Sequence, residues 1–317
     1  MYQGLRSEGA VMEKQKGKAG YYVLSVVPLL ATLMIQVLSG LACSVIGSVV
    51  YTVRITMNGE TDPDLLNDPA ALQAAVTDYI MQYIIYAVIV AQILTLIGAV
   101  IWYGILIKKK NINRPVKDCV NVRTVLMCIL AGIGLQLVID FFLNIVALAF
   151  PDAMGAYSEL IEMVGIGETT WISLLATVIL APISEELLFR GLTLRFLRSA
   201  GVKFAIANVL QALFFGILHM NLVQGIYAFV VGLVLGYVAG KCRTVFLPIL
   251  LHLCFNFAGT FLAAWLSGKS GWLMQSVLMV IGVLMLAGAF FLVQKEIKVS
   301  GGTKAESQAD ESLDVNL

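Results

Sequence analysis

The sequence predicts an all-α fold, a polytopic bundle of about eight transmembrane helices. Hydrophobic residues make up 59% of the 317-residue chain and charged residues only 13%, and the mean hydropathy is +0.89. Soluble domains are about 45–50% apolar and about 25% charged. Apolar runs long enough to cross a bilayer recur along the chain. These observations exclude an ordinary cytosolic enzyme, a disordered protein and a small disulfide-rich domain.

The first two apolar runs, 21–53 and 79–107, predict two transmembrane helices joined by an acidic external loop at 54–78 with two prolines. Residues 1–20 are polar and basic, and we expect them to be cytoplasmic. Because the first apolar run lacks a small-residue cleavage pattern at its end, it is predicted to be a retained helix rather than a signal peptide.

Six further apolar runs follow. The third predicted span covers 124–149, and the fourth begins near Thr170 and continues to about Ser199. The remaining four are predicted at 203–221, 224–240, 244–266 and 272–293. The polar residues from 294 to 317 predict a disordered tail.

The positions of lysine and arginine support this number of spans. On one side they cluster at 108–123, 195–203 and 241–243, whereas the opposite loops hold only Arg54 and Lys269. Loops rich in lysine and arginine stay in the cytoplasm, so both termini are expected there. Seven or nine spans would break the alternation.

Ionisable residues are costly in lipid and by default indicate a functional site. The predicted spans contain a short set of ionisable and amide side chains: Asp140, Glu185, Glu186, Arg190, His219, His252 and Asn256. Residues four apart share a helix face. Glu186 and Arg190 can therefore form an ion pair, which leaves Glu185 rotated by about 100° and available for another role. That pair alone is compatible with a structural role. Asp140 is interpreted as a structural residue that bonds a neighbouring helix, and the alternative is that it lines the same cavity as the other polar groups.

Depth along the helices indicates that four of these groups share one cavity. Glu185, His219 and Asn256 lie about 20 to 24 Å from the cytoplasmic ends of their spans, and His252 lies about 14 Å from its own. A glutamate and a histidine can hold and deprotonate a water molecule. An imidazole and an asparagine amide can stabilise an oxyanion. Together they predict hydrolysis of an amide bond within the membrane.

A metal site is the alternative interpretation of the same residues. His219, His252 and a glutamate would supply three ligands to a zinc ion, with water as the fourth. The chain has no HExxH motif and its five cysteines form no CxxC pair, so neither a cysteine metal site nor disulfides are expected. We favour a water molecule held directly by protein groups, with no cofactor required.

Three short motifs occur in order along the chain: Glu185-Glu186-x-x-x-Arg190, Phe215-x-x-x-His219 and His252-x-x-x-Asn256. Together they resemble the motifs of the CPBP family, the CAAX proteases and bacteriocin-processing enzymes, also called Abi or type II CAAX prenyl endopeptidase-like proteins. The resemblance covers roughly 170–260, and 1–169 carries no such motif. It implies a division into an N-terminal helical region at 21–169, a catalytic core at 170–266 and a last helix within 267–293.

The resemblance also implies a role for each motif residue. Glu185 would be the general base that activates water, with His219 as its partner. His252 and Asn256 would bind the oxyanion. The family is commonly labelled metalloprotease, while direct activation of water by the glutamate is the competing view.

Three further motif residues would shape the pocket, and two of them, Glu186 and Arg190, are counted with the catalytic residues. Glu186 and Arg190 would polarise it from the same helix as Glu185. Phe215 would line the substrate pocket and pack beside His219.

The implied substrate is a membrane-embedded or lipid-anchored peptide or protein. Relatives of this kind are linked to bacteriocin maturation or self-immunity, and a prenylated CAAX substrate is the less favoured alternative. The net charge of +1 gives no indication of nucleic-acid binding. The short loops and the absence of an organellar targeting segment favour a bacterial plasma membrane.

Two other functions are compatible with the composition. A catalytically silent scaffold or immunity protein would keep the fold and bind a peptide. A transporter would use the buried carboxylates as a proton relay, but the chain shows no inverted repeat of the kind found in many transporters.

Overall fold

The computed structural model describes residues 2–58, 67–110, 116–163, 170–266 and 271–301. Over these residues the chain forms ten helices and no strand. They are α1 Tyr2–Asn58, α2 Pro69–Met81, α3 Ile84–Lys110, α4 Val122–Ala149, α5 Pro151–Met163, α6 Trp171–Ser199, α7 Phe204–Leu218, α8 Leu222–Cys242, α9 Phe246–Leu266 and α10 Trp272–Gly301.

Within the described ranges, six helices are long and apolar enough to cross a membrane: α1, α3, α4, α6, α8 and α10. Two shorter apolar helices, Phe204–Leu218 and Phe246–Leu262, lie in α7 and α9. Each of the eight predicted spans therefore contains one apolar helix. The prediction of an all-α polytopic membrane bundle is confirmed.

The helices depart from the predicted segments at several ends. The α1 helix has 57 residues, so it is helical from Tyr2 through most of the predicted segment 1–20 and is about 85 Å long. The α2 helix occupies part of the predicted loop 54–78, and α10 continues to Gly301, beyond the predicted start of the tail. Residues 59–66 of that loop and 302–317 of the tail lie outside the described residues.

Two π-helical turns interrupt α6 on either side of its glutamate pair. The first covers Leu175–Leu180 and the second Leu187–Thr193, with the α-helical segment Ala181–Glu186 between them. The Ala181 N–H bonds the carbonyl of Ala176, five residues back rather than four. Short π turns of this kind change the register of side chains along a helix and are frequent at functional sites.

Small residues let the helices around the glutamate pair approach closely. A Cβ atom on Gly216 of α7 would lie 2.6 Å from the carbonyl oxygen of Gly225 in α8. A Cβ atom on Gly132 of α4 would lie 2.6 Å from the Cβ of Cys254 in α9. Membrane helices associate through such close contacts because lipid provides little hydrophobic driving force between them. The glycines therefore fix α8 against α7 and α9 against α4.

Two large clusters of buried apolar side chains form most of the core, and a small third cluster lies between α6, α7 and α8. One large cluster joins α4, α8, α9 and α10, and the other joins α1, α3, α6 and α7 with part of α8. Tyr227 of α8 packs against both large clusters. None of the five cysteines forms a disulfide in the part of the chain that the structure describes, in agreement with the sequence.

The α5 helix is attached to this core by a pair of tyrosines. The hydroxyl groups of Tyr157 in α5 and Tyr227 in α8 lie 3.2 Å apart, and their rings meet edge to face. Burial raises the pKa of the Tyr157 hydroxyl, which lies outside the membrane-spanning segments. The described side chains of α5 are otherwise only partly buried or exposed, so this bond is a principal attachment of α5 to α8.

Candidate active site

Glu186 and Arg190 form the ion pair that their spacing predicts. The Arg190 Nη1 donates to Glu186 Oε1 at 2.7 Å, and both side chains are completely buried. The other end of the guanidinium, Nη2, donates to the carbonyl oxygen of Gly232 in α8 at 3.1 Å. Planar guanidinium groups suit such bridging contacts. Arg190 therefore links the glutamate pair of α6 to α8.

His252 of α9 shares the same carboxylate oxygen. Its Nδ1 lies 2.9 Å from Glu186 Oε1. Because a carboxylate can only accept, His252 Nδ1 is the donor in this bond. The opposite nitrogen, Nε2, then lies 3.8 Å from Glu185 Oε2. The two adjacent glutamates thus contact the two nitrogens of one imidazole.

Phe215 of α7 packs between the charged pair and both histidines. The Arg190 guanidinium lies 4.6 Å from the centre of the Phe215 ring. The ring meets His219 at 5.1 Å and His252 at 5.8 Å between centres, edge to face in both cases. Such geometry is favourable for aromatic pairs. The predicted neighbours Phe215 and His219 are therefore in contact, and Phe215 also reaches His252.

His219 lies at the end of α7. The predicted span 203–221 implied instead that this histidine lies within a continuing helix. The helix stops at Leu218, and the next residue after the histidine, Met220, has a positive φ of 52°. His219 Nδ1 lies 2.9 Å from the carbonyl oxygen of Phe215. A carbonyl only accepts, so Nδ1 carries the proton and Nε2 is left as an acceptor.

Asn256 follows His252 by one turn of α9 and contacts α6. Its Nδ2 donates to the carbonyl oxygen of Thr177 at 2.7 Å. One of the two amide hydrogens is thereby used in a bond between helices, and the second is available. Thr177 could not be predicted as the partner of Asn256, because the contact depends on how α6 and α9 pack.

Asp140 is bonded within its own helix. Gln136, one turn earlier in α4, donates to Asp140 Oδ1 at 2.7 Å, and Asn144 donates to the backbone carbonyl of Asp140 at 2.7 Å. Both contacts lie within α4, and the second carboxylate oxygen, Oδ2, is buried without a hydrogen-bond partner among the described residues.

Gln211 is a site residue that sequence reasoning missed. It is completely buried and donates from Nε2 to the carbonyl oxygen of Gly232 at 2.9 Å, the same oxygen that Arg190 binds. Its spacing from Phe215 and His219, four and eight residues, places it on the same face of α7. That spacing was the available signal, but an uncharged glutamine does not stand out among ionisable residues.

The metal alternative does not match the donor atoms. Across the described residues, no three His, Cys, Asp or Glu side chains are grouped so that they could hold a metal ion. We therefore derive no step through a metal.

One of three comparisons with known proteins gives a match. Residues 167–258 match the family described as type II CAAX prenyl endopeptidase Rce1-like. The match covers less than a third of the 317-residue chain and includes all three motifs. No curated protein and no solved structure matches the chain. The predicted resemblance to CAAX proteases is confirmed over these residues: the chain is an integral membrane protein in which residues 167–258 are similar to the Rce1-like type II CAAX prenyl endopeptidases.

Proposed function

We propose that the protein is an intramembrane endopeptidase that hydrolyses a peptide bond by means of a water molecule activated by Glu185 and His219. The observation that carries the proposal is the buried chain of contacts from Arg190 through Glu186 to His252, which directs one imidazole nitrogen toward Glu185. A structural ion pair alone has no need of that histidine or of a second glutamate beside it.

Glu185 is the general base. The carboxylate of its neighbour Glu186 is already bonded to Arg190 and His252, whereas Glu185 lies 3.8 Å from His252 Nε2. The Nε2 of His219 accepts a hydrogen bond from the same water molecule, because Nδ1 of that ring donates to its own helix. A base and a second acceptor orient the water for attack.

The oxyanion is bound by His252 and Asn256. With Nδ1 fixed as the donor to Glu186, His252 donates from Nε2 when its ring carries both protons. Asn256 supplies its second amide hydrogen. Donors fixed in a water-poor cavity stabilise developing negative charge strongly.

The proton moves in two steps. Glu185 takes a proton from water while the water oxygen attacks the carbonyl carbon of the peptide bond and forms a tetrahedral oxyanion. As the carbon–nitrogen bond breaks, Glu185 returns that proton to the leaving nitrogen. The products are a carboxylic acid and an amine.

The substrate is a membrane-embedded or lipid-anchored peptide or protein. The family description names a prenyl endopeptidase, and a peptide anchored by a lipid or by its own apolar segment reaches a site enclosed by apolar helices. We place both termini in the cytoplasm, because the lysine and arginine clusters then lie on the cytoplasmic side.

The test is cleavage of a quenched fluorescent peptide library by the purified protein in nanodiscs. The wild type, Glu185→Gln and the matched control Glu159→Gln, an exposed glutamate of α5, are compared. Cleavage that is lost in Glu185→Gln and kept in Glu159→Gln supports the proposal. Full cleavage by a folded Glu185→Gln variant would contradict it.

A further inference from the structure

Pro182 leaves one carbonyl of α6 without a donor in its own helix. The Ala181 N–H bonds Ala176 rather than Thr177, because the helix is in a π turn at that point. The next residue, Pro182, has no N–H to give. The carbonyl of Thr177 therefore receives neither of the two backbone hydrogens that lie four and five residues ahead of it.

Asn256 of α9 supplies the missing donor. Its Nδ2 lies 2.7 Å from the Thr177 oxygen. Buried backbone carbonyls in a membrane have little access to water and need a protein partner, so the bond satisfies a group that proline and the π turn have freed. It also joins α6 to α9 at a defined point.

The two ends of this bond lie at different distances from the reacting groups: Asn256 is one helical turn from His252, whereas Thr177 is eight residues, about two turns, from Glu185. Pro182 precedes Glu185 by about one turn of α6, and His252 precedes Asn256 by one turn of α9. Glu185 Oε2 and His252 Nε2 are 3.8 Å apart. That separation is held from one side by the bond of Glu186 to His252 and from the other side by the bond of Asn256 to Thr177.

We propose that Pro182 is a positioning residue: by freeing the Thr177 carbonyl to accept from Asn256, it sets the placement of Glu185 relative to His252 and aims the second amide hydrogen of Asn256. The catalytic part of this inference rests on the proposed endopeptidase function. The bond between Asn256 and Thr177 does not depend on that function, so the bond and the endopeptidase function can be contradicted separately.

The experiment is a double-mutant cycle between Pro182→Ala and Asn256→Leu. Alanine at position 182 restores a backbone N–H that can bond Thr177 five residues back, so the Asn256 amide loses its acceptor. We expect Pro182→Ala to lower kcat at least about tenfold while KM changes less than about threefold, because alignment rather than substrate binding is lost.

Thermal unfolding in detergent is the second readout and needs no substrate. Asn256→Leu should lower the unfolding midpoint clearly in the wild type and much less in the Pro182→Ala background, since the carbonyl then has another donor. Pro28→Ala is the matched control. It removes a proline from α1, a helix that carries none of the predicted site residues, and its effects should add to those of Asn256→Leu.

The inference would be overturned if the shifts in the unfolding midpoint caused by Pro182→Ala and Asn256→Leu are additive, or if Pro182→Ala leaves kcat unchanged. If Pro182→Ala does not fold, Asn256→Asp is compared with Asn256→Leu at a pH where the carboxylate is ionised. The bond predicts that the aspartate is the less stable variant, because it places two acceptors together, and equal midpoints would contradict it. If the effects of Pro182→Ala and Asn256→Leu on the unfolding midpoint are not additive but Glu185→Gln cleaves fully, the endopeptidase function is contradicted and the bond between Asn256 and Thr177 is still supported.

Discussion

Glu186 Oε1 binds His252 Nδ1 at 2.9 Å while it also accepts a hydrogen bond from Arg190. The spacing of Glu186 and Arg190 predicts an ion pair within one helix. In the structure this pair is also the central part of a contact between α6 and α9. Glu186 fixes which nitrogen of His252 is directed toward Glu185. The two neighbouring glutamates therefore have different contacts, because only Glu186 is bonded to the buried arginine.

Substitution of Glu186 by glutamine should impair both folding and catalysis. Glu186→Gln leaves the Arg190 charge buried without its partner, and we expect the free energy of unfolding to fall by about 3 to 5 kcal/mol. His252 loses its carboxylate acceptor, so kcat should fall by about 100-fold. Unfolding in detergent and cleavage in nanodiscs measure the two effects. Glu162→Gln, on the exposed face of α5, is the control, and equal behaviour of the two variants would contradict this role.

Gln211 should prove to be a support for Arg190. Gln211→Met keeps the volume of the side chain but removes the donor to Gly232. We expect a loss of about 1 to 2 kcal/mol in the free energy of unfolding, together with a smaller fall in kcat than Glu186→Gln causes. The exposed Gln73 of α2 gives the matched control Gln73→Met. A Gln211→Met variant as stable as this control would show that the bond contributes nothing.

The tip of the α7–α8 hairpin should not tolerate added volume. Gly216→Ala places a methyl group 2.6 Å from the carbonyl oxygen of Gly225, so α7 has to move and His219 at its end moves with it. We expect a destabilisation of about 1 to 3 kcal/mol and a fall in kcat. Gly98→Ala in α3, where a Cβ atom has open space, is the control. If the unfolding midpoint and kcat of Gly216→Ala match those of Gly98→Ala, the structure around Gly216 can accommodate a methyl group and the prediction is wrong.

Metal removal should leave cleavage unchanged. The proposed mechanism uses a water molecule held by Glu185 and His219, and across the described residues no three His, Cys, Asp or Glu side chains are grouped so that they could hold a metal ion. Dialysis against a strong chelator, followed by cleavage and unfolding measurements, checks this expectation. Lost cleavage that is restored by added zinc would favour the metal alternative, with His219 and His252 as ligands.

The sequence was sufficient to predict what depends on neighbouring residues. Apolar runs locate the helices, and the four-residue spacing of Glu186 and Arg190 predicts their bond, because both properties are local. The bond of Glu186 to His252 could not be predicted in the same way, since 66 residues separate them. It requires α6 and α9 to be packed in one register, which the motif spacing does not specify.

Two features of the site were missed for different physical reasons. The apolar run around His219 continues beyond the end of α7, so hydropathy does not reveal that the helix stops at Leu218. The π turn before Pro182 changes the pitch of α6, and an amphipathic pattern assumes a constant pitch. Only the proline itself, inside a helix, was a sign that the backbone bonds there are not regular.

The shortness of α7 has a consequence for the lipid around it. With 15 residues it spans about 22 Å, whereas the hydrocarbon core of a bilayer is about 30 Å thick. Such a hydrophobic mismatch is relieved by local thinning of the bilayer. Thinning at the α7–α8 turn brings the aqueous interface toward the end of the helix where His219 lies. Where the bilayer thins, the water that the proposed hydrolysis consumes would have a shorter path to His219.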